Sequence, residues 1–172
     1  RRMQGLMVAP GNPLGLRSLA DVVRQSARFV NRPLGSGTRV LLDDLLAGAG
    51  LGAQDLPEDA LTEPSHTAVA QAIAAAAADT GLGIELAARS RGLDFVALAQ
   101  ENYHLVCLKS ALELPAIQAL RQVLHDPLWH QQMGALAGYE VANCGEVLSL
   151  REMLPWWRFQ KKKSTVPASA GR

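Results

Sequence analysis

The chain has 172 residues, with 17 Lys and Arg against 16 Asp and Glu, for a formal charge of +1. Apolar residues make up 48% and charged residues 19%, which supplies a core and excludes a wholly disordered chain. Aromatics are only 5%, so Ala, Leu and Val must build that core, and two cysteines (Cys107 and Cys144) exclude both a disulfide framework and a four-thiolate metal site.

Met7-Val8-Ala9-Pro10 reads as a strand end, followed by the turn residues Gly11-Asn12-Pro13. Ser18 then caps a helix from Leu19 to about Gln25, with Asp21 at the third position of the capping box. Arg28 to Asn31 is a short strand, broken by Pro33 to Gly37. A helix follows from about Thr38 to Ala47, and Gly48, Gly50 and Gly52 close it as a C-cap and loop. Residues 53–62 are loop-like and acidic. Pro64-Ser65-His66 opens a helix through Ala78, with Ala74–Ala78 in its interior.

Asp79 to Gly83 is a strand or turn, Ile84 to Arg91 a short helix, and Leu93–Leu98 and Tyr103–Leu108 are strands. Pro115 starts a helix whose apolar positions Ile117, Leu120, Val123 and Leu124 have helical spacing; residues 127–136 give one more, and Gly138-Tyr139 ends it. Strands alternating with helices predict an α/β domain with a largely parallel sheet. No apolar run reaches the roughly 20 residues that cross a bilayer. Pro10, Gly11 and Pro13 cut short any signal-peptide core, and a chain that opens on Arg1 reads as part of something longer.

The charge is unevenly spread. Residues 151–172 carry six Lys and Arg against one acid, and residues 1–150 carry eleven basic against fifteen acidic residues. The body is therefore a poor nucleic-acid platform, and the basic end is expected to be disordered beyond about Lys161. The mixed stretch Trp156–Lys163 reads as an ordered patch leading into that end, with a membrane surface or nucleic acid as the other partners its composition allows.

One segment stands out chemically. Asn31-Arg32-Pro33-Leu34-Gly35-Ser36-Gly37-Thr38-Arg39 lies between a predicted strand and a predicted helix. Glycines allow close backbone approach, the helix start offers free N–H groups, Ser36 and Thr38 add hydroxyls, and Arg32 and Arg39 add charge. These are the parts of an anion pocket. They also suit a plain helix cap flanked by solvated arginines. The segment matches neither a P-loop nor a dinucleotide turn. Ser65-His66 offers a second helix start, or an ordinary cap beside a surface histidine. Cys107 and His104 point to opposite faces of a predicted strand, so Cys107 is read as a small core residue and no enzyme is expected. His125 and His130 straddle Pro127, and no carboxylate or Cys completes a metal set.

Taken in order, several segments resemble a known family: Gly11-Asn12-Pro13 with Ser18-Leu19-Ala20-Asp21, Phe29-Val30-Asn31-Arg32, Gly35-Ser36-Gly37-Thr38-Arg39, Ser65-His66-Thr67-Ala68-Val69-Ala70, Ala78–Ile84, Leu93-Asp94-Phe95, Glu101-Asn102-Tyr103 and Gly138-Tyr139. Over about residues 5–145 the chain resembles the periplasmic-binding-protein-like type II ligand domain related to molybdate- and tungstate-binding proteins, also found fused to helix-turn-helix regulators or to molybdenum-cofactor biosynthesis proteins.

The resemblance implies an α/β fold with one complete three-layer lobe plus the returning part of a second lobe. Residues 1–148 would be the ligand domain and 149–172 a basic extension. Within the domain, residues 12–100 would form the second lobe, 7–9 and 103–108 the hinge strands, and 109–145 part of the first lobe. The implied function is non-enzymatic binding or sensing of a small oxyanion (molybdate, tungstate or a molybdenum-cofactor-related compound), with no resident cofactor, in a cytoplasmic regulator or molybdenum-cofactor protein. The alternative is a periplasmic solute-binding protein serving an ABC-type transporter. The implied ligand residues are Arg32, Ser36, Gly37, Thr38, Arg39, Ser65, His66 and Tyr103, and the implied partners are the anion, an attached DNA-binding domain and a second copy of the chain.

Overall fold

The structure is a computed structural model that describes residues 1–57, 61–154 and 156. Its sheet has five strands in the order β3-β2-β4-β1-β5: β1 (Arg2–Val8), β2 (Phe29–Asn31), β3 (Leu61–Thr62), β4 (Thr80–Ile84) and β5 (Asp94–Glu101). β2 runs parallel to β3 and β4, whereas β1 is antiparallel to both β4 and β5. The sheet is therefore mixed, not largely parallel. The crossover from β4 to β5 skips one position, and β1 fills that slot in the opposite direction. Alternation of strand and helix along the chain carries no trace of such an insertion.

Side chains leave the sheet in two sets, as the two-residue period of strands requires. Leu6, Val8, Phe29 and Leu82 pack with Val22 and with Leu42 and Leu46, so helices α1 (Leu19–Arg24) and α2 (Gly37–Gly48) cover one face. Met7 and Val30 pack with Val69, Ala70, Ile73 and Ala88, so α3 (His66–Ala74) and α4 (Glu85–Arg89) cover the other. The result is the expected three-layer lobe. Small residues set its thickness: a Cβ on Gly81 would stand 2.7 Å from Cγ1 of Val69.

Side-chain caps start three of these helices. The hydroxyls of Ser18, Ser36 and Ser65 accept from the backbone N–H groups of Asp21 (3.2 Å), Arg39 (3.3 Å) and Ala68 (3.1 Å). Each such cap contributes about 1 kcal/mol. At the other end, α3 stops at Ala74 instead of continuing through Ala78. Ala76 takes a left-handed conformation (φ 56°) and the N–H of Ala77 returns to the carbonyl of Ala72, which turns the chain into β4. The turn is held by Asp79, whose carboxylate accepts from the backbone N–H of Arg28 (2.8 Å) and from its guanidinium (2.7 Å). Those bonds to Arg28 hold the Asp79 carboxyl below its usual range. Gly50 (φ 71°) closes the loop after α2, as expected.

Beyond β5 the character changes. Helices α5 (Pro115–His125), α6 (Pro127–Gly134) and α7 (Leu150–Met153) follow, and Asp126 caps α6 through the N–H of Leu128 (2.7 Å). Among the described residues, none after Leu93 is buried. Residues 102–108 join no strand among the described residues, contrary to the strand expected over 103–108, and Cys107 is exposed instead of in the core. Of the two segments expected as hinge strands, Met7 and Val8 lie buried at the far end of β1, which runs from Arg2, and 103–108 form no strand.

The later segment is nonetheless pinned to β1. The N–H of Met3 donates to the carbonyl of Gly138 (2.7 Å), Arg2 pairs with Tyr139, and the Arg1 guanidinium meets Glu140 (3.1 Å). No described helix is long and apolar enough to cross a membrane. The expected disorder beyond Lys161, and all of the patch Trp156–Lys163 except Trp156, lie outside the described residues.

Two outcomes follow. A Cβ on Gly5 would stand 2.1 Å from the backbone oxygen of Val96, so Gly5→Ala should cost about 1–3 kcal/mol in urea unfolding. Asp79 has a depressed folded-state pKa, so its contribution is present above the ordinary carboxylate range and fades as pH falls through the lower folded value. Asp79→Asn should therefore destabilise at neutral pH and have no effect in strong acid, as read by thermal melts across pH.

Candidate functional site

In a sheet of this kind, ligands sit beyond the carboxyl ends of the parallel strands, where helices begin. Here that edge collects the end of β2 at Asn31, the end of β3 at Thr62 and the end of β4 at Ile84. It also collects the starts of α2 and α3. Because β1 runs antiparallel, its first residues, Arg2 to Gln4, arrive at the same edge beside Glu101 at the end of β5. The ends of all five strands and two helix N-termini thus meet at this edge, with polar or charged residues supplied by β1, β2, β3 and β5.

Arg32 is the next residue after β2. Its Nη2 donates to the carbonyl of Pro64 (2.9 Å), just before α3. Its Nε and Nη1 are buried and make no hydrogen bond. Burial pulls the guanidinium below its ordinary value. His66, the first residue of α3, lies over Gly83 of β4: a Cβ built there would stand 3.1 Å from Nδ1. That Nδ1 is also buried and unpaired. Burial first, then the positive charges of Arg32 and Arg2, lower the His66 pKa to about 4, with Glu101 opposing. At neutral pH the imidazole is uncharged, and Arg32 is not opposed by a second cation on α3.

On β1, the Arg2 guanidinium pairs through Nε with Glu101 and lies 5.0 Å from the centroid of the Tyr103 ring. Burial lowers the Arg2 pKa, but bonds to Glu101 and Tyr139 outweigh it and the net shift is upward. Gln4, only 1% exposed, donates from Nε2 to the second Glu101 oxygen (2.8 Å), which leaves its Oε1 buried without a donor.

The structure brings some of the expected residues together and commits others to the fold. Arg32 and His66 share one neighbourhood. Ser36 and Ser65 serve as helix caps. Arg39 is turned along α2, pairing with Asp43 (3.0 Å) and donating to Oδ1 of Asn31 (3.3 Å). Thr38 is buried within α2 and Gly37 begins it. Tyr103 stands exposed under Arg2. Arg2, Gln4 and Glu101 were not among the expected residues. The available signal was Gln4 itself, a polar residue in phase with Leu6 and Val8, but it is legible only once β1 is known to begin at Arg2.

The histidine gives a direct check. Its imidazole should titrate near pH 4 instead of 6.5 in the folded chain, followed by NMR. The unfolded state takes up this proton first, so stability should decline as pH falls from about 6.5 towards 4. His66→Asn should remove that part of the decline.

Comparison with known proteins agrees with this architecture. Residues 1–125 match the PBP superfamily domain. The chain is 33% identical over 147 residues to the uncharacterized protein YvgK of Bacillus subtilis, covering 86% of this chain and 47% of that protein, so it spans about half of that relative's length. It is 25% identical over 111 residues to an uncharacterized protein in the ferredoxin 2Fe-2S gene 5' region of Clostridium pasteurianum, covering 64% of this chain and 98% of that protein. An ancestral arginine-binding protein bound to glutamine shares the fold, with a TM-score of 0.52 and 18% identity over 80% of this chain and 60% of that chain. With nearly three-quarters of its residues inside the match, the chain belongs to the PBP superfamily, as a small-ligand-binding domain.

Proposed function

We propose that the carboxyl edge of the sheet binds a small anion, with Arg32 as its main electrostatic contact and His66 as a neutral hydrogen-bonding partner. The observation that carries this is the pair of buried, unbonded N–H-bearing atoms on Arg32. Leaving buried donors of a charged group unpaired costs several kcal/mol, and an anion removes that cost. The neighbouring starts of α2 and α3 add free backbone N–H groups and positive dipole ends. The sequence resemblance names the anion class: molybdate, tungstate or a molybdenum-cofactor-related compound. It also names the setting, a cytoplasmic ligand-sensing part of a regulator or molybdenum-cofactor protein, working without catalysis. In a regulator, ligand binding would act by favouring one arrangement of an attached DNA-binding domain over another.

A second reading, a periplasmic solute-binding protein serving an ABC-type transporter, is supported by the fold shared with the ancestral arginine-binding protein. Both readings use the same edge and differ only in what the domain is attached to.

Isothermal titration of the chain with molybdate, tungstate, sulfate and phosphate at fixed ionic strength tests the site. At least one anion should bind, and Arg32→Ala should weaken it about tenfold or more, the effect of losing one charge-assisted hydrogen bond. If no anion binds, or if Arg32→Ala leaves affinity unchanged, the anion site is not at this edge.

A further inference from the structure

Arg32 and His66 meet on one face of the sheet. Val30 enters the core under α3 and α4, and the two-residue period puts Arg32 on the same side. Continuing the parallel register of β2 with β4 sets Arg32 level with Gly83, one strand spacing of roughly 5 Å away. The His66 ring lies over that same Gly83, beside Met7, which belongs to the α3/α4 core. Arg32 is tied to this place by its bond to the carbonyl of Pro64, two residues before His66.

The charges around them are mostly matched. Arg2 of β1 is paired with Glu101 of β5, and Arg39 with Asp43. Glu85, the acid that opens α4, is engaged by Arg89 (3.4 Å), and Glu63 stands three residues ahead of His66. Met7 and Gly83, which flank the imidazole, do not titrate. Arg32 makes no ion pair among the described residues, and His66 is uncharged at neutral pH. One unmatched cation therefore faces the ligand. A singly charged anion is balanced by it.

A doubly charged oxyanion is not. It brings one more negative charge than Arg32 neutralises, next to a buried Nδ1 that has no partner. An uncompensated charge in a partly buried site is costly. The imidazole can meet both needs. With a proton on each ring nitrogen it supplies the missing positive charge and a donor at Nδ1. In the free site, burial and the cations Arg32 and Arg2 keep it neutral. A bound dianion opposes those cations and favours the charged ring.

We propose that His66 adjusts the charge of the anion site: it stays neutral beside a monoanion and takes up a proton from solution when a dianion binds, so dianions are held more tightly as the medium becomes acidic. This rests on the anion-site reading and deepens it.

Sulfate is the probe, because it stays doubly charged across the range and supplies no proton itself. Titrated into the full chain at fixed ionic strength, sulfate should bind roughly tenfold more tightly at about pH 5 than at about pH 7. Buffers of different ionisation heat should show close to one proton taken up per sulfate at the lower pH. NMR should show His66 titrating nearer neutrality with sulfate bound. His66→Gln should remove the uptake and flatten the affinity, and the wild-type NMR titration decides if that variant does not fold. Sulfate affinity independent of pH, or proton uptake that survives in His66→Gln, would overturn the role of His66 and leave the anion site standing. A chain that binds molybdate at about pH 7 but no sulfate at either pH would do the same. No binding of either ion would overturn both.

Discussion

The direction of one strand organises this domain. β1 lies in the slot between β4 and β5 and runs against both, so it joins the parallel half of the sheet to β5. Its Leu6 and Val8 enter the core under α1 and α2, and Met7 enters the core under α3 and α4. A strand facing both cores with no exposed side chain from Gln4 to Val8 cannot shift register without exchanging the two sets of side chains. The same reversal brings the beginning of β1 to the edge where the parallel strands end. Had β1 run parallel, Arg2 and Gln4 would lie at the opposite edge, far from Arg32 and His66.

The polar edge reverses the usual economy of a core. Buried polar atoms in folded proteins are nearly all paired. Here Arg32, His66 and Gln4 supply four unpaired buried atoms at the edge where the parallel strands end, Gln4 beside its bond to the Arg2–Glu101 ion pair. Two hydrophobic layers lie beneath it, and the absence of a side chain at Gly83 lets the His66 ring sit close to the sheet. On the proposed anion reading, the cost of the unpaired Arg32 groups is what a complementary ligand would relieve.

How much of this was legible in the sequence depended on the range of the interaction. Local signals served well: Ser18 capping α1, the glycines closing α2, Pro127 separating α5 from α6, and the strand–helix alternation that gave the three-layer lobe. Arg32 and His66 stood out because each sits at a strand–helix junction. What failed was non-local. The apolar run in β1 was read only from Met7, because Gln4 and Gly5 break the pattern; both are explained by contacts with Glu101 and Val96, more than 90 residues away. The apolar alternation of residues 103–108 suggested a strand that finds no partner among the described residues. Ser36 turned out to be the plain cap that the segment equally allowed, and Arg39, open between an anion and solvent, finds partners within eight residues at Asp43 and Asn31.

The clasp between the beginning of β1 and residues 138–140 closes a long loop. Everything from the end of β5 to Gly138 leaves the sheet and returns to it, anchored at both ends to the same short stretch of backbone. Closing a flexible loop costs entropy that grows only with the logarithm of its length, so a few backbone hydrogen bonds are enough to hold it once the sheet exists. Before β1 is paired there is no surface on which Tyr139 can dock. The topology therefore makes docking of the later segment depend on the sheet: α5 and α6 form a single excursion, hung from two neighbouring points at the rim where the parallel strands end.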